Sequence, residues 1–359
     1  MSSTTSTSSG RKRADDPSLR DIVLVDQLPS DAWAEGIVVL PSGDILATRV
    51  DGCELFHISG KSSERDDEAD TSTKVLLSFP KANAVLNICR LNGTTEGKEE
   101  YAVLTAYTDF LTGEYHSSAV WRISFDGGDA ATPTMAKIAD LPEAIFCLGM
   151  IPVTDEVLIV VDTAKYCIWH IHIPTGRVSV LVSDEPTMLP KTKDEMFGTN
   201  RVRLAGNHLY HTNTSTGVLH RTPIEYISNG SDIRVTGPPQ FVASGLEFSD
   251  GLVVKRDGTT AYCSNYVSGL LRRIDIDAEG KGIVSTLVDD LISPTSIDLV
   301  YKDENDDKPT LYLLCCGAVY QTLLETHGPA FDYAGINKND MKLEVTVTTE
   351  IMVTYEPAE

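Results

Sequence analysis

The chain repeats a unit of three short strands separated by tight turns. The stretch SGLEFSDGLVVKRDGTTAYCSNYVSGLLRRIDID, residues 244–277, shows it most clearly. Its apolar strands are bounded by turns rich in Gly, Asp and Asn, a pattern typical of antiparallel strands. Five further segments share this rhythm, and they begin at Ala32, Asn83, Ala144, Thr199 and Pro294.

Short apolar segments between the copies supply a fourth strand for each unit. They include KVLLSF, AKIADL, VSVLVS and STLVDDL. Four-stranded units repeated every roughly 50 residues are typical of propellers, because each sheet buries its faces only against its neighbours. We therefore predict an all-β fold, a six-bladed β-propeller with four-stranded blades around a central channel. The alternative, two β-sandwich domains, requires a linker between halves, and the sequence shows none.

Composition and charge limit the classes of function. The chain has 359 residues, 42% of them hydrophobic, which is enough for one large domain over residues 21–359 after a Ser- and Thr-rich leader, residues 1–20, that we expect to be disordered. The leader lacks the apolar core of a secretory signal, and no window has 18 continuous apolar residues, so we expect a cytoplasmic protein without membrane insertion. A net charge of −22 repels phosphate backbones, which excludes nucleic acid and favours a small, neutral, apolar substrate or a cation. The sequence does not indicate an oligomeric state.

The strands that surround the channel bring distant residues together. Residues that open the first strand of each copy are predicted to form a ring at the channel mouth: Glu35, Ala84, Cys147, Asn200, Asp250 and Thr295. The second strand returns to the same face and adds an outer ring: Arg49, Tyr107, Asp162, Asn213, Asn265 and Cys316. The segment from Tyr107 to Ser118 is predicted to rise from this face as a lid or wall.

Three ring residues form an all-oxygen set. Glu35, Asn200 and Asp250 suit a hard divalent ion such as Ca²⁺, with water completing its shell. Without a cation, the two carboxylates would raise each other's pKa or need Arg49 as a counter-ion. Acidic residues beside glycine also form turns, so a structural role for each of them stays open.

Nucleophilic catalysis finds little support in the sequence. No GxSxG elbow surrounds Ser249, which argues against a serine hydrolase. The seven cysteines contain no CxxC pair, and no matched histidine base can be placed beside Cys315 and Cys316. We expect the cysteines to be reduced, mostly buried thiols.

The stretches AEGIVVLPSGDILATR, TNRVRLAGNHLYHTN and SDGLVVKRDGTTAYCSN resemble the metal-ligand strands of the gluconolactonase and senescence-marker propellers. That resemblance implies a six-bladed enzyme with a divalent ion held by a glutamate, two asparagines and an aspartate. Glu35, Asn200 and Asp250 match three of these ligands, and Cys147 takes the place of the other asparagine. The implied activity is metal-dependent opening of a lactone.

A narrower resemblance runs from DIVLVDQLPSDAWAEGIVVLPSGDILATR to DLISPTSIDLVY, and it is to fungal natural-product propellers. Those of tropolonic sesquiterpene biosynthesis are hetero-Diels-Alderases, which join an ortho-quinone methide to a humulene-type alkene without a cofactor. This reaction is our first hypothesis, the lactonase is the second, and a non-catalytic scaffold is the third. Catalysis would then come from orientation by an apolar wall and from hydrogen-bond donors at the tropolone oxygen. The predicted donors are Arg49, Tyr107, Asn200 and Thr295. The predicted substrate contacts are Trp33, Phe110, Phe146, Cys147, Phe197, Asn213, Asn265 and Tyr266.

Overall fold

The fold is given by a computed structural model, which describes residues 22–29, 32–59, 73–92, 98–109, 114–126, 133–193, 195, 197–289, 291–303, 305, 309–316 and 349–355. The predicted leader and Phe110 lie outside these residues. Almost all of the regular structure is β-strand, apart from the helical turn α1 (Glu185–Met188) and a 3₁₀ turn at Ser228–Gly230. The described strands form six antiparallel sheets.

The strands follow one another along the chain as the repeats predict. The first strand of the chain is β1 (Ile22–Leu28). Sheet 1 contains β2 (Ala34–Val39), β3 (Ile45–Arg49), β4 (Glu54–Ile58) and β5 (Lys74–Ser78). Sheet 2 contains β6 (Ala84–Arg90), β7 (Lys98–Asp109), β8 (Glu114–Asp126) and β9 (Thr134–Leu141). Sheet 3 contains β10 (Cys147–Pro152), β11 (Val157–Asp162), β12 (Cys167–His172) and β13 (Arg177–Val182).

The second half of the chain departs from the four-stranded pattern once. Sheet 4 contains β14 (Thr199–Ala205), β15 (His208–Asn213), β16 (Val218–Ile227), β17 (Asp232–Val235) and β18 (Gln240–Ser244). Sheet 5 contains β19 (Ser249–Val254), β20 (Thr260–Asn265), β21 (Leu270–Ile276) and β22 (Gly282–Val288). Sheet 6 contains β23 (Pro294–Val300), β24 (Thr310–Cys316), β25 (Thr349–Tyr355) and, at its outer edge, β1. The long β16 accounts for the extra strand in sheet 4, because its two halves pair with β18 and β17 separately.

The six sheets close into a ring. The first strand of each sheet contacts the first strand of the next, and β23 of sheet 6 contacts β2 of sheet 1. The buried apolar residues of the described chain fall into six clusters, each between two neighbouring sheets. Burial of both faces explains why a strand such as β11, VLIVVD, is apolar over its first five residues. The prediction of an all-β propeller is confirmed.

The predicted lid is mostly a β-hairpin. Strands β7 and β8 are 12 and 13 residues long, and their pairing continues through Tyr107–Ser117 to Asp109–Glu114. The stretch is therefore an extension of sheet 2, and its tip, residues 110–113, lies outside the described residues.

Candidate active site at the channel mouth

A β-bulge at the start of the first strand positions the site residues. In β2, β10, β14 and β19 two successive residues have no partner on the second strand, because the register shifts between the pairs that flank them. A bulge bends a strand and redirects its side chains. The unpaired residues are Glu35 and Gly36 in sheet 1, Leu148 and Gly149 in sheet 3, Asn200 and Arg201 in sheet 4, and Asp250 and Gly251 in sheet 5.

Hydroxyl groups on the second strand stabilise three of these bulges. The backbone N–H of Gly36 donates to Thr48 Oγ1 over 2.8 Å, and that of Gly251 donates to Ser264 Oγ over 2.8 Å. In sheet 4 the N–H of Arg201 donates to a threonine hydroxyl in the same way. The three bulges are therefore equivalent, and Arg201 stands where sheets 1 and 5 have glycine.

This register corrects the predicted position of Cys147. Cys147 pairs with Asp162 as Ala34 pairs with Arg49, so the residue equivalent to Glu35 is Leu148. The Cys147 side chain is buried in the apolar cluster between sheets 2 and 3, and burial raises the pKa of its thiol. Sheet 3 therefore places leucine, which has no side-chain oxygen, where sheets 1, 4 and 5 have Glu35, Asn200 and Asp250.

The guanidinium of Arg201 joins the two predicted carboxylates. Its Nη2 lies 2.5 Å from Glu35 Oε1 and 2.7 Å from Asp250 Oδ1. The same nitrogen donates to the carbonyl oxygen of Thr295 over 3.3 Å, and Nε donates to the carbonyl oxygen of Asp250 over 3.1 Å. Four sheets thus converge on one buried cation, and we call Glu35, Arg201 and Asp250 the charged cluster.

Polar atoms of Arg201 and Asn200 are left without hydrogen-bond partners among the described residues. Neither Nη1 of Arg201 nor Oδ1 of Asn200 has a hydrogen-bond partner among the described residues, although both are buried. The other end of the Asn200 amide is engaged, because Nδ2 donates to Thr214 Oγ1 over 2.8 Å. A buried donor and a buried acceptor without partners are costly, and such atoms commonly face a ligand or an ordered water.

Burial sets the charges of the cluster. Burial raises the pKa of Glu35 well above its usual value, and the charge of Asp250 adds to this effect against the opposing charge of Arg201. Burial also raises the pKa of Asp250, although Arg201 opposes the shift. Burial lowers the pKa of Arg201, but the two carboxylates outweigh it and raise the pKa. Arg201 therefore stays charged, and burial raises the pKa of both carboxyl groups.

The arrangement does not fit the divalent ion that the sequence implies. An ion bound by Glu35 and Asp250 would have to lie where Arg201 Nη2 contacts both carboxylates. Within the described part of the chain, no group of three or more His, Cys, Asp and Glu side chains is placed to hold a metal. The cation between the carboxylates is a guanidinium, and it comes from Arg201 instead of Arg49.

Several other predicted residues are engaged elsewhere. Arg49 pairs with Asp51 over 2.8 Å. Tyr107 is half exposed and lines a separate cavity of about 460 Å³ on sheet 2, together with Trp121 and Lys137. The hydroxyl of Thr295 donates to the carbonyl oxygen of Ala34, so only the carbonyl of Thr295 reaches the charged cluster.

The two outer-ring asparagines form turns. Asn213 Oδ1 accepts from the N–H of Thr216, and Asn265 Oδ1 accepts from the N–H of Ser268. Their amide nitrogens donate to backbone carbonyls, which for Asn213 are those of Thr187 and Leu189. These contacts give both residues a structural role, and their contact with a substrate stays a prediction.

Aromatic side chains border the same face. Phe146 stacks on Tyr115 with ring centroids 4.4 Å apart, and its centroid lies 5.9 Å from that of Phe197. Trp33 packs against the same apolar cluster. Trp33, Phe146 and Phe197 precede first strands, so they lie at the end of the channel where Glu35 and Asp250 stand. On sheet 5, Tyr266 packs edge-to-face with Phe248 at 6.4 Å.

Arg201 is the residue of the charged cluster that the sequence pattern did not predict. A signal was present, because the equivalent pairs read EG in sheet 1 and DG in sheet 5 but NR in sheet 4. The replacement of a bulge glycine by arginine marks a position where a long charged side chain enters the site.

Comparison with known proteins supports the fold. No protein-family model matches the sequence, and no curated protein matches it significantly. The structure is similar to a calcium-binding protein, regucalcin, from Agrobacterium tumefaciens C58, with a TM-score of 0.57 and 16% identity over 93% of this chain and 94% of that chain. It is similar to a luciferin-regenerating enzyme, with a TM-score of 0.58 and 12% identity over 94% and 97% of the chains. It is also similar to the PQQ-bound aldose sugar dehydrogenase from Streptomyces coelicolor, with a TM-score of 0.50 and 12% identity over 94% and 99%. At these identities the likeness shows the fold alone.

The described helices are single turns, and none has the length and apolar character that a lipid bilayer requires of a spanning helix.

Proposed function

We propose that this chain is a hetero-Diels-Alderase that binds its substrates at the channel mouth and activates the heterodiene through the guanidinium of Arg201. The observation that carries the proposal is the buried Nη1 of Arg201, a cationic N–H donor without a partner among the described residues. The second nitrogen, Nη2, contacts Glu35 and Asp250 and so holds the guanidinium in place. A donor that is oriented beforehand in a buried site stabilises developing negative charge well.

The substrates that this proposal names are a tropolone ortho-quinone methide and a humulene-type alkene. One C–C bond and one C–O bond form as two π bonds are consumed, so the addition needs no proton transfer, leaving group or oxidant. A hydrogen bond from Arg201 to the oxygen of the heterodiene withdraws electron density and favours attack by the alkene. Trp33 and Phe197, which are only partly buried, supply the apolar surface that holds the partners face to face, and the buried Phe146 packs against Phe197.

The test is to incubate the purified protein with a quinone-methide precursor and the alkene, and to measure cycloadduct formation and its enantiomeric excess. We expect Arg201→Met to lower the enzymatic rate by about 10²-fold or more, since a buried oxyanion donor commonly contributes that much. The matched control is Arg90→Met, because Arg90 is a half-exposed arginine paired with Glu99. An Arg201→Met enzyme with the wild-type rate and selectivity would contradict the proposal.

A second variant keeps the proposal testable if Arg201→Met does not fold. Arg201→Met leaves two buried carboxylates without a cation, so the triple variant Arg201→Met, Glu35→Gln, Asp250→Asn makes the site neutral. We expect the triple variant to fold and to show the same loss of rate. Retention of activity in the folded triple variant would also overturn the proposal.

Lactone opening is the second candidate, and the fold shared with a calcium-binding regucalcin favours it. In this chain a buried carboxylate such as Asp250, with a raised pKa, would serve as the base for water. A panel of sugar and aryl lactones separates the candidates. Lactone opening should be abolished by Asp250→Asn, whereas cycloaddition should tolerate this change better because it transfers no proton. If the protein turns over neither substrate class, the remaining hypothesis is a non-catalytic scaffold.

A further inference from the structure

The bulge glycines show how unusual arginine is at position 201. A Cβ on Gly36 would lie 3.1 Å from Asn87 Cα, and a Cβ on Gly149 would lie 2.7 Å from the carbonyl oxygen of Asn200. A Cβ on Gly251 would lie 3.1 Å from the backbone nitrogen of Ile297. The first strand of the next sheet therefore approaches each of these bulges too closely for a side chain. Among these four bulges, only the bulge of sheet 4 carries a side chain at the second position, that of Arg201.

The atoms around the Arg201 guanidinium are those that a hard cation prefers. Its nitrogens contact four oxygens, which are Glu35 Oε1, Asp250 Oδ1 and the carbonyl oxygens of Asp250 and Thr295. Asn200, the residue before Arg201, has a buried side-chain oxygen without a partner among the described residues. Ca²⁺ takes six to eight oxygen ligands in flexible geometry, with water supplying the remainder.

We propose that Arg201 is a built-in substitute for a divalent cation, and that Arg201→Gly converts the charged cluster into a calcium site. The change removes one positive charge and a bulky side chain, and it restores the residue found in the other three bulges. It leaves two carboxylates and two backbone carbonyl oxygens around the vacated space. This proposal concerns binding alone and does not depend on the reaction that the protein catalyses.

The test is calorimetric titration of Ca²⁺ into the full-length wild-type protein and the Arg201→Gly variant, with thermal unfolding in calcium and in EDTA. We expect saturable binding by the variant at least about tenfold tighter than any binding by the wild type, together with a calcium-dependent rise in Tm. Two controls locate the site. Arg201→Lys retains a cation and should not respond to calcium, and Arg201→Gly combined with Asp250→Asn should lose the new binding.

The other possible results of the calcium titration either support the proposal or overturn it. Calcium binding by the wild type that Asp250→Asn abolishes would overturn the proposal, because the guanidinium would then not exclude the ion. A folded Arg201→Gly variant that ignores calcium would also overturn it. If the variant folds only in calcium, the ion has replaced the guanidinium and the proposal stands. If it stays unfolded with calcium present, the proposal fails.

Discussion

At the scale of the residue, the charged cluster depends on one arginine that is almost fully buried. A buried charge is strongly destabilising unless it is paired and hydrogen-bonded, and Arg201 has two carboxylates and two backbone carbonyls as partners. Two acids and one base in the same buried volume leave one carboxyl group with a surplus charge. Burial raises the pKa of Glu35, and the negative charge of Asp250 raises it further.

Glu35 should therefore make the stability of the protein depend on pH. An unfolded glutamate has a pKa of about 4.3, and the folded pKa is higher, so the folded protein binds this proton more tightly. The resulting stabilisation is fully present below about pH 4.3 and is lost as the pH rises through the folded pKa. Urea unfolding from pH 4 to 8 should show a steeper decline for the wild type than for Glu35→Gln. The surface variant Glu143→Gln should keep the wild-type decline, and equal slopes for wild type and Glu35→Gln would contradict the assignment.

At the scale of the element, a β-bulge at the start of the first strand brings Glu35, Asn200 and Asp250 to the channel mouth. The bulge leaves two residues without ladder partners, so the first is free to be Glu, Asn or Asp and to face the channel. The second must be small where the neighbouring sheet is close. The threonine or serine that binds the bulge N–H is one residue before the end of the second strand, as in ATR, HTN and CSN.

Gly251→Ala should therefore destabilise the protein through steric overlap between sheets 5 and 6. The added Cβ would lie 2.7 Å from Ser264 Oγ and 2.8 Å from Ile297 Cγ1, so we expect a loss of about 1–3 kcal/mol in the free energy of unfolding. Gly237→Ala is the control, because its Cβ meets only Pro223 Cγ at 3.2 Å and should change stability by about 0.5 kcal/mol or less. Equal effects of the two changes, measured by denaturant unfolding, would refute the close approach at the bulge.

At the scale of the whole molecule, closure of the ring brings the site together. Glu35, Arg201 and Asp250 are far apart in the sequence, and they meet because first strands from sheets 1, 4 and 5 surround one channel. Strand β1 pairs with β25 at the outer edge of sheet 6, so the two ends of the described chain join in the same sheet.

The sequence predicted the propeller because strand period and turn chemistry are local signals that repeat. It also placed Glu35, Asn200 and Asp250 in equivalent positions, since each follows the same motif. It did not predict Arg201, because an alignment of first positions ignores the second residue of each bulge. The predicted position of Cys147 was wrong for a related reason. An apolar strand such as FCLGM carries no local signal for its register, so the sequence did not reveal that Cys147 pairs with Asp162.

The most direct test of the account is a double-mutant cycle on unfolding free energy, with Arg201→Met combined in turn with Glu35→Gln and with Asp250→Asn. Residues in direct contact show coupling of about 0.5–3 kcal/mol, whereas distant residues add independently to within about 0.5 kcal/mol. With contacts of 2.5 and 2.7 Å, we predict coupling of more than about 1 kcal/mol for both pairs. Additive effects for both pairs would show that these side chains do not meet, and the proposed site would not exist.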